Sequence, residues 1–101
     1  MASKQELLDF LDKRIFHPIL NANDKHYTGK QHEVLADVKK RTEAEKARFH
    51  GYDTADRIVA MFKDDLSSDK ARHVNAEIEQ LNLPRLADVK NDFLKLAGEN
   101  Q

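Results

Sequence analysis

The stretch Ala55-Asp56-Arg57-Ile58-Val59-Ala60-Met61-Phe62-Lys63-Asp64-Asp65-Leu66 decides the fold. Its apolar residues Ala55, Ile58, Val59, Phe62 and Leu66 recur at three and four, which stacks them on one face of an α-helix and would scatter them over both faces of a strand. Asp53 or Thr54 can cap its start by offering a side-chain oxygen to the free N–H groups of the first turn. The pair Ser67-Ser68 stops it.

The same period extends outward on both sides. Toward the C-terminus, one of those serines can cap a helix with Ala71, Val74, Ile78 and Leu81 on one face, after which Asn82 can adopt the left-handed conformation before Leu83-Pro84. Leu86, Val89, Phe93 and Leu96 then mark a last helix, expected to return antiparallel on its predecessor across that short connection. Toward the N-terminus, Gly51 closes a long helix from about Gly29 or Lys30 to Phe49, with Thr28 and Gln31 at capping-box spacing. Before it, Asn21 to Thr28 reads as a polar loop. Ser3 and Glu6 again have capping-box spacing, opening a first helix from about Lys4 to Phe16 with the stripe Leu7, Leu8, Leu11, Ile15. Pro18 ends or kinks it, because proline has no N–H to donate and its ring clashes with the preceding turn. The expected fold is all-α: a single compact bundle of about five helices over residues 1–101, the last two an antiparallel hairpin.

Composition narrows the function classes. With 101 residues, 40% hydrophobic and 35% charged, the chain has room for one core. Seventeen basic against eighteen acidic side chains give a net charge of -1, so no global field recruits nucleic acid or anionic membrane. The absence of cysteine removes disulfides, thiolate zinc sites and thiol nucleophiles. Met1-Ala2-Ser3-Lys4 leads directly into charged amphipathic sequence without a signal-peptide core, and neither Ala2 nor any cysteine offers a lipid attachment point. A cytoplasmic location is expected.

Motifs for specific chemistry fail on spacing. Gly29, Gly51 and Gly98 are too far apart to cradle a phosphate. His32-Glu33 opens like a helical zinc-protease motif, but Ala36 stands where the second histidine is required. His17, His26, His32, His50 and His73 contain no i, i+4 pair, so no metal or other cofactor is expected. Asp64 and Asp65, as neighbours on a helix, point about 100° apart and converge poorly for metal binding or acid–base work.

Two patterns remain as candidate contact surfaces. On a wheel started at Leu7, the first helix's stripe centres near about 60°, while Phe10 falls near about 300° and Phe16 near about 180°. Either neighbours wrap that helix, or Phe10 and Phe16 offer a contact site. In the long helix, Lys39, Lys40, Arg41, Lys46 and Arg48 form a basic concentration. With Lys30 they number six against Glu33, Asp37, Glu43 and Glu45, a net +2 over 30–50. The same helix places Thr42 and Glu45 on its inward line between Val38 and Phe49, where a buried carboxyl needs a partner unless this half projects past the body.

The stretches Glu45-Lys46-Ala47-Arg48-Phe49-His50-Gly51-Tyr52, Ile58 to Ser68 and Leu81-Asn82-Leu83-Pro84 together resemble small uncharacterised bacterial proteins of about this length. The resemblance covers most of the chain, implies a bacterial cytoplasmic origin, and brings no activity, ligand or site residue. By elimination the expected function is non-enzymatic: a cytoplasmic protein-interaction, regulatory or accessory protein, with a protein partner or self-association and no membrane. The alternative is a nucleic-acid-associated factor using Lys39, Lys40, Arg41, Lys46 and Arg48.

Overall fold

The computed structural model describes residues 2–98, and their side chains except those of 69–74; the expected core positions Ala71 and Val74, and His73, lie outside the described side chains. The protein is all-α. In chain order come α1 (Lys4–Leu11), a π-helical turn (Asp12–Phe16), α2 (His17–Leu20), a 3₁₀ turn (Asp24–His26) and α3 (Lys30–His50). Then follow α4 (Ala55–Ser67), α5 (Asp69–Gln80), a second 3₁₀ turn (Leu86–Val89) and α6 (Lys90–Leu96). No strand occurs among the described residues. No described helix is long and apolar enough to cross a membrane.

The caps explain where these helices begin. Ser3 Oγ accepts from the Glu6 N–H and the Glu6 carboxylate accepts from the Ser3 N–H, the reciprocal box that the spacing predicted. Thr54 Oγ1 accepts from Arg57 N–H at the head of α4. Thr28 does not cap α3. Gly29 occupies that cap with a φ of 56°, and no side chain serves the first turn. A residue with a Cβ is strained there, so the sharp entry to α3 depends on glycine. At the other end Gly51 follows the last turn in right-handed conformation, with a φ of -86°. Asn82 takes the left-handed conformation expected of it, with a φ of 60°.

The first helix departs from expectation in an instructive way. It runs through Pro18 to Leu20, because one turn before the proline is π-helical: His17 N–H donates to the Asp12 carbonyl, five residues back. Proline cannot donate to the preceding turn, and the wider turn accommodates the break without ending the helix. The extra residue also resets the register. It takes about 100° off every later position, moving Phe16 from about 180° to about 80° and bringing Ile19 to about 20°, in line with Leu7, Leu8 and Leu11. Ile15, Phe16 and Ile19 are all buried.

One continuous core results. The Phe62 ring of α4 stacks on Phe93 of α6 with centroids 4.0 Å apart, and Phe10 of α1 approaches Phe93 at 5.7 Å. Phe16 and Phe49 meet at 6.0 Å, and Tyr52 lies edge-on to Phe49 at 5.5 Å. These contacts tie α6 to α1 and α4, and they do not report on its antiparallel pairing with α5. At 1.5 Å per residue α3 is about 31 Å long, most of the molecule's 44 Å length. It packs against α2, the π turn and α5. Tyr27 Oη donates to the Leu81 carbonyl at 2.9 Å, fixing the loop before α3 to the end of α5.

Candidate functional site: a cleft beside the second half of α3

A cleft of about 390 Å³ opens where α3 passes the π turn, α4 and the chain on either side of α5. Its apolar lining comes from Ile15 and Ile19, brought to this side by the π turn, together with Ile78, Pro84 and Leu86. Its polar lining includes Arg41, Thr42, Glu45 and Arg48 of α3, Asp65 of α4, Asn75 of α5 and Arg85. Thr42, Glu45 and Arg48 follow one another at three-residue spacing along α3, with Arg41 beside Thr42. Thr42 is buried and Glu45 half-buried, so the inward reading of this helix holds and the cleft wall, not open solvent, receives them.

The charges around the cleft follow one plan. Each of three guanidinium groups stands between two carboxylates. Arg41 reaches Asp37 at 2.9 Å and Glu77 at 2.6 Å; Arg48 reaches Asp65 at 2.5 Å and Glu45 at 4.0 Å; Arg85 reaches Asp88 at 2.9 Å and Glu79 at 3.2 Å. All three guanidinium groups line the cleft, but of the six carboxylates only Glu45 and Asp65 do, and Arg41 Nε is buried there without a hydrogen-bond partner.

Glu45 is the unusual member. Its side chain is 28% exposed and that of Asp65 only 18%. Burial pushes the Glu45 carboxyl up to about 7, the nearby negative charge of Asp65 adds to the rise, and Arg48 opposes it at a distance. Arg48 is engaged more closely with Asp65, so Glu45 is left as the carboxyl that can hold a proton at neutral pH, hydrogen-bonded to Asp65. Asp64, one residue from Asp65, is exposed.

The structure distributes the other sequence candidates. The five bases of the expected nucleic-acid face do not gather: Arg41 turns to α5 and Arg48 to α4, while Lys39 Nζ donates to the Ala22 carbonyl at 2.7 Å and pairs with Asp24 at 3.0 Å. Lys40 is exposed and Lys46 half-buried. Phe16 is fully buried, so it presents no contact surface; the straight-helix wheel misplaced it by the one residue that the π turn inserts. Phe10 is half-buried, with Arg14 over its ring at 5.3 Å. Among the described residues no three His, Cys, Asp or Glu side chains form a group that could hold a metal ion. His50 Nε2 instead lies 2.8 Å from Asp12 Oδ1.

No protein-family model, curated protein or solved structure matches the chain.

Proposed function

We propose that this chain is a non-enzymatic binding protein, an adaptor, regulator or accessory subunit that contacts a protein partner through the cleft beside α3. The observation that carries this reading is the combination of an apolar floor with a ring of ion pairs around about 390 Å³, inside the size range of binding sites and larger than a packing defect. The apolar floor supplies the hydrophobic part of recognition, and the charged ring supplies orientation. The five α3 bases support a nucleic-acid reading less well, since three of them already face carboxylates.

Ala44 gives a clean test. It lines the cleft but is exposed, so Ala44→Trp fills the mouth without touching the core. Affinity capture with both forms should yield a partner that the wild type retains and Ala44→Trp loses at an unchanged melting temperature. Equal retention by both forms, or by neither, contradicts the reading.

A further inference from the structure

We propose that the cleft binds the C-terminal residue of the partner polypeptide, its α-carboxylate on Arg41 and its apolar side chain on the isoleucine floor. This rests on the partner-binding reading above. Charge at the cleft wall selects an anion. Three guanidinium groups line the cleft against two carboxylates, Glu45 and Asp65, while the other four carboxylates of the ring hold Arg41 and Arg85 from outside the lining. An acidic occupant balances that excess of one positive charge, and a basic one adds to it. A carboxylate monoanion matches the excess, whereas a phosphate dianion overshoots it and brings no apolar part for the floor.

Arg41 is the donor left over. Arg85 commits all three of its nitrogens to Asp88 and Glu79, and Arg48 Nη2 is held by Asp65. Arg41 places both of its ion pairs, to Asp37 and Glu77, on Nη2, and its Nε is buried without a hydrogen-bond partner. A buried donor with no acceptor costs stability that an arriving oxygen returns. Water does not reach that Nε, and a small pivot of the guanidinium about Nη2 presents it to the cleft. Beside it Thr42 is buried in the cleft wall, and its hydroxyl can donate as well.

The floor decides which carboxylate. Ile15, Ile19 and Ile78 offer an apolar surface that the one or two methylenes of an aspartate or glutamate side chain leave largely uncovered. A terminal residue carries its carboxylate and a branched apolar side chain on one Cα, so a single residue meets both surfaces, and half-buried Asn75 can meet its amide. Glu45 stands one turn from Arg41 on the same helix face, so its ionisation opposes the incoming carboxylate. The groups facing Glu45 leave no competing titration near neutral pH: α3 contributes Arg48 and Arg41, α4 contributes Asp65, and the segment after α5 contributes Arg85. The π turn and α2 contribute only isoleucines, and α5 contributes Asn75 and, through Arg41, Glu77. The α-carboxyl itself stays ionised, its ordinary pKa lying near ~3.5.

The test is an amide-shift NMR titration of the full chain with Nα-acetyl-leucine, and in parallel with Nα-acetyl-leucinamide and with 4-methylpentanoate. The acid should shift Ile15, Arg41, Thr42, Glu45 and Ile78 saturably, and the neutral amide should bind at least about fivefold more weakly, the loss expected when a charged hydrogen-bonding group is removed. Arg41→Lys keeps a cation for Asp37 and Glu77 but has no Nε–H, and should weaken the acid about fivefold or more at an unchanged melting temperature. Affinity for the acid should fall about tenfold from pH 6 to pH 8, the change in the protonated fraction of a group titrating at about 7, and Glu45→Gln should remove that fall. 4-Methylpentanoate, which lacks the peptide amide, should bind about threefold or more weakly than the acid, the worth of one hydrogen bond; equal binding would make this a site for a free small acid and overturn the assignment to a chain terminus. Equal binding of the acid and its amide, absence of saturable shifts at the cleft, undiminished binding by Arg41→Lys, or a flat pH profile in the wild type also overturns the inference. Should the acid fail to bind while Ala44→Trp still abolishes partner capture, the partner reading stands and the terminal-carboxylate inference falls. Should the acid bind while Ala44→Trp leaves capture intact, the anion site stands and the partner reading falls.

Discussion

Arg48 and Arg85 each stand between two carboxylates, yet the two units behave in opposite ways. Around Arg85 the acidic side chains are open to water, with Glu79 70% and Asp88 43% exposed. There the hydrogen bond from Arg85 holds the Asp88 carboxyl below its ordinary value, with the backbone N–H of Arg85 adding to it. Around Arg48 the carboxyls are 28% and 18% exposed, and burial drives Glu45 up to about 7 despite the same kind of cation. The composition of the two units is alike. Loss of water decides the direction, because a charge deprived of solvent costs more than one guanidinium at 4.0 Å returns.

The largest expected effect that follows is a pH dependence of stability. Glu45 binds its proton more tightly in the folded chain than in the unfolded one, whose value is near 4.5. Its stabilising contribution is therefore complete below about pH 4.5 and is lost as pH rises through about 7. At 1.36 kcal/mol per pKa unit the full effect is on the order of 3 kcal/mol. Urea unfolding at pH 5 and pH 8 should show the wild type losing stability relative to Glu45→Gln by an amount of that order. Parallel pH profiles for the two proteins would erase the distinction between the buried and open units.

A smaller effect is expected from the cation. Arg48→Met leaves two shielded carboxyls without their guanidinium, and should cost about 1–3 kcal/mol at pH 8. Only the smaller part of that loss should disappear at pH 5, where Glu45 is protonated, because the closer partner of Arg48 is Asp65 at 2.5 Å and not Glu45 at 4.0 Å. A cost that is equal at both pH values would mean that Arg48 acts through Asp65 and through packing over the Phe49 ring 5.3 Å away, with no share from Glu45. The smallest effect belongs to the open unit. Asp88→Asn should lower the melting temperature only slightly, and equally at both pH values, since water screens the exposed pair with Arg85. A clear drop would put the two units on the same footing.

The main helices were legible because a period of three and four needs no knowledge of the rest of the fold, and Ile58 and Phe62 are buried as that period requires. The register of the first helix was not legible beyond Leu11. A wheel assumes one residue spacing throughout, and the π turn that redirects Phe16 and Ile19 is signalled only by Pro18, which could as well have ended the helix. The start of α3 was placed correctly but attributed to Thr28, where the backbone needed Gly29. In the cleft, the inward position of Glu45 could be read from its own helix. Asp65 could not: the rotation of about 100° between neighbours that argued against an Asp64-Asp65 pair is the same rotation that leaves Asp64 in solvent and turns Asp65 toward Arg48. The ion pair of Arg41 with Glu77 joins residues 36 apart, and only the packing of α3 on α5 creates it.

The central claim is that burial, rather than composition, makes Glu45 the protonatable group of the cleft. Carbon-13 NMR of the side-chain carboxyls across a pH titration measures it directly. The Glu45 resonance should titrate with a midpoint of about 7, while Asp88 titrates below the usual carboxylate range. A Glu45 midpoint near 4.5 would contradict the account.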